Sequence, residues 1–236
     1  FQYLGNLVVG LVIAAVVGLA ASASGHAQNG QSIVESQCIA CHAVAKPDKA
    51  GIDHLWERKG PDLHYAGSKF NQAWLESWLQ NPARIRPAGE LYTKHLKATD
   101  AEDAVDETTL QPHVKLSAAD AKAAAEYLMS LKAPDGLVQA GAFKGGKVSP
   151  SMGAMFFNKL RGCGACHSTA SGAGGASGAE LHTAAERLQP DYIYAYIKDP
   201  QAFDPGIWMP TLNLSEPDLQ RLTGYIVQLN GKGATP

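Results

Sequence analysis

Apolar residues along this chain form one continuous run near the start, followed by short stripes at helical spacing. From Leu4 to Ala23 the residues are almost all Leu, Val, Ile, Ala and Gly, with no charge. About 20 apolar residues suffice to cross a bilayer, whereas the core of a cleaved signal is nearer 7–15. The small residues of Ala21–Gln28 would suit a cleavage site, but the length of the run favours an uncleaved signal anchor over residues 1–27. Further on, Ala124, Leu128 and Leu131 recur at helical spacing, as do Leu219, Leu222, Ile226 and Leu229. Ser117 and Ser215 stand where a side-chain oxygen can cap the free N–H groups of these helices. Asp120 and Asp218 follow three residues on, near the positive helix end. Pro217 sits in the first turn, where a missing N–H costs nothing, and Gly231 is a stop for the second helix. Trp74–Leu79 and Tyr192–Ile197 predict another amphipathic helix each, closed by Asn81-Pro82 and Asp199-Pro200. No stretch alternates as a strand should, so the pattern predicts an all-α fold.

The stripes belong to an internal repeat. Cys38-Ile39-Ala40-Cys41-His42 matches Cys163-Gly164-Ala165-Cys166-His167. Gly60–Pro82 then aligns without a gap with Gly178–Pro200, Pro87 keeps register with Pro205, and Gln111–Ser117 corresponds to Met209–Ser215. This predicts two copies of one small domain, residues 28–132 and 152–236, joined by a Gly-, Pro- and Lys-rich linker at 133–151. Residues 168–180, mostly Gly, Ala and Ser, read as a loop too flexible to pack well. The first copy also holds Leu91–Leu110, which has no counterpart; its acidic run, Asp100 to Glu107, reads as a solvated face.

The length of 236 residues is enough for two small cores, and a net charge of −2 gives nucleic-acid binding no electrostatic support. All four cysteines lie in the two Cys-x-x-Cys pairs. Two disulfides would be one use for them in an exported chain, but a histidine directly after each pair argues otherwise. Cys-x-x-Cys-His is the haem c attachment signature. On a helix the two thiols stand on one face and can each add across a vinyl group, while the imidazole reaches the iron from the same side. A zinc knuckle would need two further ligands near each pair, and a thioredoxin-type pair a preceding strand. The sequence supplies neither, so the expected cofactors are two haem c groups. One is held by Cys38, Cys41 and His42, the other by Cys163, Cys166 and His167.

On these residues the chain resembles the class I cytochromes c, and within them dihaem members with an N-terminal anchor, over nearly all of residues 30–230. The resemblance implies two tandem class I domains after a transmembrane helix. In each, an N-terminal helix leads into Cys-x-x-Cys-His, a Gly-Pro-x-Leu stretch backs the proximal histidine, and a Met-Pro loop supplies the sixth ligand. Gly60-Pro61-Asp62-Leu63 matches the backing stretch, which implies the Pro61 carbonyl as acceptor of the His42 ring N–H. The second copy has Ala179 at that place and leaves the acceptor open. Met209-Pro210 matches the distal loop and implies Met209 as sixth ligand of the second haem, raising its potential. Met152 and Met155 precede the second motif and are not placed for this.

The first copy departs from the pattern: Gln111 holds the methionine slot, and glutamine is a poor iron ligand. His113, His95 in the inserted segment, and an open or glutamine-held iron are the alternatives, with Met129 read as core. His64 and His182 occupy matching places on the proximal side and read as structural or propionate-neighbouring. Trp56, Trp74, Trp78 and Trp208 read as haem-pocket packing. His26 and His54 lack counterparts and receive no role.

The resemblance implies a periplasm-facing cytochrome anchored in the bacterial inner membrane. Such a protein moves electrons as a subunit of, or tethered shuttle to, a respiratory or photosynthetic complex, and its partners are other electron-transfer proteins or complex subunits. One uncharged anchor houses neither a quinone site nor a proton path, so the chain is not expected to be an enzyme on its own. The alternative is a dihaem oxidoreductase with catalysis at an open or weakly ligated haem in the first domain.

Overall fold

The computed structural model describes residues 29–171 and 173–229. The apolar run Leu4–Ala23, His26 and Gly231 lie outside them. Among the described residues no helix is long and apolar enough to cross a membrane.

The first half contains α1 (residues 29–37), α2 (Ile52–Glu57), α3 (Ala66–Lys69), α4 (Gln72–Gln80) and α5 (Ala118–Ser130). The second contains α6 (Pro150–Met155), which runs on into a π-helical turn (Phe156–Leu160), then α7 (Ala184–Arg187), α8 (Pro190–Lys198), α9 (Pro200–Phe203) and α10 (Glu216–Ile226). α7 and α8 begin and end at the positions that the repeat aligns with α3 and α4. Each half buries its own apolar core. Val34, Leu75, Leu79, Ala124 and Leu128 fill one, and Phe156, Phe157, Ile193, Leu222 and Ile226 the other.

In both halves a glycine lets the first helix press closely on the last, against backbone in the first half and against an aromatic ring in the second. A Cβ on Gly30 in α1 would overlap the Ala123 carbonyl of α5, and one on Gly153 in α6 would overlap the Tyr225 ring of α10. The two last helices start differently. Ser117 accepts from the Asp120 N–H at 3.2 Å and donates to its carboxylate at 2.9 Å, so one hydroxyl caps the helix and holds the first-turn carboxylate. The Ser215 side chain makes no such bond to the backbone, and α10 opens with Pro217 in its first turn.

Three loops depart from expectation. The inserted segment holds a small antiparallel hairpin, β1 (Leu96–Lys97) with β2 (Ala104–Val105), whose two-residue strands are too short to show alternation. The linker at 133–151 is tied down along its length, Ala133 donating to the Ser68 hydroxyl of the first half at 3.0 Å and its middle bonding to the second half. Gly141 and Phe143 donate to the Asp191 carboxylate at 2.8 and 2.9 Å, and Lys144 to the Gln220 side chain at 2.9 Å. The Gly- and Ala-rich loop at 168–180 does pack, because lacking side chains lets backbone meet backbone. Gly175 donates to the Gly164 carbonyl at 3.0 Å, and a Cβ there would lie within 2.6 Å of Cys166.

The halves join about a local pseudo-twofold axis. Phe70 and Leu188, which the repeat aligns, face each other as an antiparallel bridge. On one side Asn71 N–H donates to the Arg187 carbonyl at 2.8 Å, and on the other Gln189 N–H donates to the Lys69 carbonyl at 2.9 Å. The side-chain amides repeat the exchange. Asn71 reaches the Ala185 and Leu188 carbonyls, and Gln189 those of Gly67 and Phe70. Tyr65, Tyr192 and Phe203 bury their rings against one another beside this seam.

A buried ionic cluster closes the seam. The Arg58 side chain, 3% exposed, meets Asp204 of the other half through Nη2–Oδ2 at 3.1 Å and a second, shorter contact from Nη1. It also pairs with Glu90 at 2.6 Å and Asp62 at 3.5 Å. Arg86 adds a contact to Glu90 at 3.4 Å. His54, to which the sequence lent no role, places Nε2 3.0 Å from both Asp62 oxygens.

Candidate functional site

The first Cys-x-x-Cys-His begins where α1 ends. Cys38 N–H still bonds to the Val34 carbonyl at 2.9 Å, and the chain then turns so that His42 N–H meets the Cys38 carbonyl at 3.0 Å. The second motif makes the same turn as a 3-10 helix (Cys163–Ala165). It is entered through Gly162 at φ 69, with His167 N–H 3.0 Å from the Cys163 carbonyl. All four thiols are free. Burial pushes the Cys38 and Cys163 thiols above the ordinary range, so both are held as uncharged SH groups.

Behind each motif the repeat builds one arrangement twice. His42 Nδ1 donates to the Pro61 carbonyl at 2.7 Å, and His167 Nδ1 to the Ala179 carbonyl at 2.7 Å. The acceptor is a backbone atom, so the change from proline to alanine leaves it intact. Leu63 N–H to the Ala43 carbonyl and Leu181 N–H to the Ser168 carbonyl, both 2.7 Å, pin the two backing segments in register. Gly60 and Gly178 lie flat against the imidazoles, where a Cβ would stand 2.8 Å from His42 Nδ1 or 2.7 Å from His167 Nδ1. With Nδ1 carrying the proton, each Nε2 keeps its lone pair for a metal. Burial pushes both histidines below their ordinary pKa, against the pull of the carbonyls, so both rings are neutral. Two free thiols beside a neutral, oriented imidazole are the donor set that haem c requires, and both motifs supply it.

Arg86 and Arg187, one from each half, add to the depression at His167. Arg187 is 4% exposed and is held by the Glu180 carbonyl at 2.6 Å and the Thr183 hydroxyl at 3.0 Å; burial pushes it down to about 10. No motif marked either arginine.

The sequence left three distal candidates in the first half, and the fold separates them. His113 stands opposite His42, with ring centres 6.1 Å apart, and Trp78 meets it edge-on at 4.6 Å. His95 bonds through Nδ1 to the Thr109 hydroxyl at 2.8 Å and packs beside Gly89 and Leu110 at the base of the inserted segment. Gln111 is exposed. In the second half Met209 is half-buried on the loop between α9 and α10, next to Trp208, whose ring meets Tyr92 of the first half at 5.2 Å. Trp74 and Trp78 pack on the first core, as expected of pocket residues. Trp56 does not: it is half exposed under the Lys94 ammonium. His64 lies edge-on to Tyr65, and His182 stands 3.6 Å from Glu180.

No curated protein and no solved structure matches the chain. The family model described as Cytochrome c matches residues 27–132, which take in α1 to α5. Proteins of that family hold haem c covalently and pass electrons to partner proteins, and this part of the chain is a cytochrome c domain.

Proposed function

We propose that the chain is a dihaem electron-transfer protein, with a second cytochrome c domain over residues 152–236. One haem c is held by Cys38, Cys41 and His42, the other by Cys163, Cys166 and His167. One observation carries this reading: the oriented imidazole, its backbone acceptor and the glycine against its ring recur residue for residue behind the second Cys-x-x-Cys-His. Bound haem supplies reversible one-electron exchange at iron. The residues fix how. The Pro61 and Ala179 carbonyls raise the basicity of the ligating rings and hold their orientation. Met209 serves as distal ligand in the second domain, and a thioether there favours ferrous iron and a higher potential. The paired backbone bonds across Phe70 and Leu188 hold the two centres at a fixed separation, so transfer between them needs no domain motion. The apolar run at Leu4–Ala23 is the membrane anchor, the domains face the periplasm, and the partners are subunits of a respiratory or photosynthetic complex.

Expression with a c-type maturation system should give an intact mass raised by two haems. Replacing both Cys163 and Cys166 by serine should remove one of them and leave the other. A wild-type protein carrying a single covalent haem on residues 38–42 would sink the dihaem reading. Recovery of the full chain in the detergent-solubilised membrane fraction, and of a chain lacking residues 1–27 in the periplasm, is the expected result for the anchor.

A further inference from the structure

We infer that His113 is the distal iron ligand in the first domain, opposite His42; the inference rests on the haem reading above and names the residue that completes it. Two imidazoles bound through Nε2 at about 2.0–2.1 Å, on opposite sides of one metal, have ring centres about 6.3 Å apart. The His42 and His113 rings stand 6.1 Å apart and tilted by 51°. The separation of the His42 and His113 ring centres matches the span of one metal and its two bonds.

The tautomers agree. His42 gives its Nδ1 proton to Pro61, and His113 Nδ1 lies 2.7 Å from the Val114 carbonyl, so both rings keep Nε2 free of those bonds. The position of His113 is also fixed from outside the site. Leu116 N–H donates to the Leu79 carbonyl at 2.9 Å, tying the 111–117 segment to the end of α4, and Trp78 of the same helix closes on the imidazole. His113 therefore stands over His42 although the methionine slot two residues earlier holds Gln111. His95 is engaged by Thr109 and packed against Gly89 in another part of the first half. With both axial positions taken by imidazole, the first iron has no place for peroxide or another small ligand, which favours electron transfer over catalysis there.

The test uses the full-length, haem-loaded protein and low-temperature EPR with near-infrared magnetic circular dichroism. Wild type should show two low-spin centres, one bis-imidazole and one imidazole–thioether. His113→Ala should convert the bis-imidazole signal alone to high spin, and added free imidazole should restore it, which a purely structural role would not produce. His113→Met should leave that centre low-spin and raise its midpoint potential. A bis-imidazole signal that survives in His113→Ala and disappears in His95→Ala would overturn the inference. An intact mass without haem on residues 38–42 would overturn the haem reading itself, and this inference with it, so the two failures are told apart.

Discussion

Replacing Asp204 by alanine should cost the folded protein about 3–5 kcal/mol, the usual result of removing one partner from a buried ion pair. The reason lies in what remains. Arg58 would keep its place between the halves, almost wholly buried, facing only Glu90 and Asp62. The loss should appear as a lower denaturant midpoint in the haem-loaded chain. Glu107→Ala breaks the exposed Arg84–Glu107 pair and should barely move that midpoint. The pH dependence has a definite sign. Burial alone would raise the Asp204 carboxyl, but Arg58 outweighs it and holds the group below the ordinary carboxylate range. A depressed folded-state value adds stability that is complete above the unfolded value of about 3.9 and fades as pH falls through the folded one. Asp204→Asn should therefore be less stable than wild type at neutral pH, and the gap should close only in strong acid. A gap that stays constant down to the acid transition would remove Asp204 from this role.

This cluster also marks where the repeat stops being informative. Helices α4 and α8 were legible because apolar spacing and the Asn-Pro and Asp-Pro stops are local signals, and their register came from the alignment of Gly60–Pro82 with Gly178–Pro200. The two Cys-x-x-Cys-His motifs were legible for the same reason. Arg58 and Asp204 are 146 residues apart, and no local pattern joins them. The alignment even misleads here, for the position matching Asp204 is Arg86, of opposite charge, and the two side chains enter the same cluster from opposite halves. Ala179 carries no local signal, because the acceptor is a backbone carbonyl that every residue has. His113 and His95 differ in tertiary pinning, through Leu116 and α4 for the one and Thr109 for the other, which no local pattern records. The small hairpin at Leu96–Val105 has strands of two residues, too short for an alternating pattern to show.

Gly60→Ala and Gly178→Ala should each disable one centre and spare the other. At Gly60 the added methyl would sit 2.8 Å from His42 Nδ1, and closer still to Cε1; at Gly178 it would sit 2.7 Å from both Nδ1 and Cε1 of His167. Neither clash can be relieved by a flexible tip, since the obstructed group is the ring that must point at the metal. Turning the ring away would break its 2.7 Å bond to Pro61 or Ala179. Loss of such an orienting partner typically costs 10–100-fold in metal affinity. In a c-type protein the thioether bonds can keep the porphyrin attached, so the damage should appear first in the axial ligation. Gly60→Ala should weaken or remove the bis-imidazole signal with the imidazole–thioether signal intact, and Gly178→Ala should do the reverse. The two variants thus assign each spectral component to its half of the chain without touching a cysteine or a ligand. A Gly178→Ala protein whose two signals both match wild type would show that the methyl is accommodated. The tight face behind His167 would then not be what sets its orientation, and the likeness of the two sites would be one of shape without shared function.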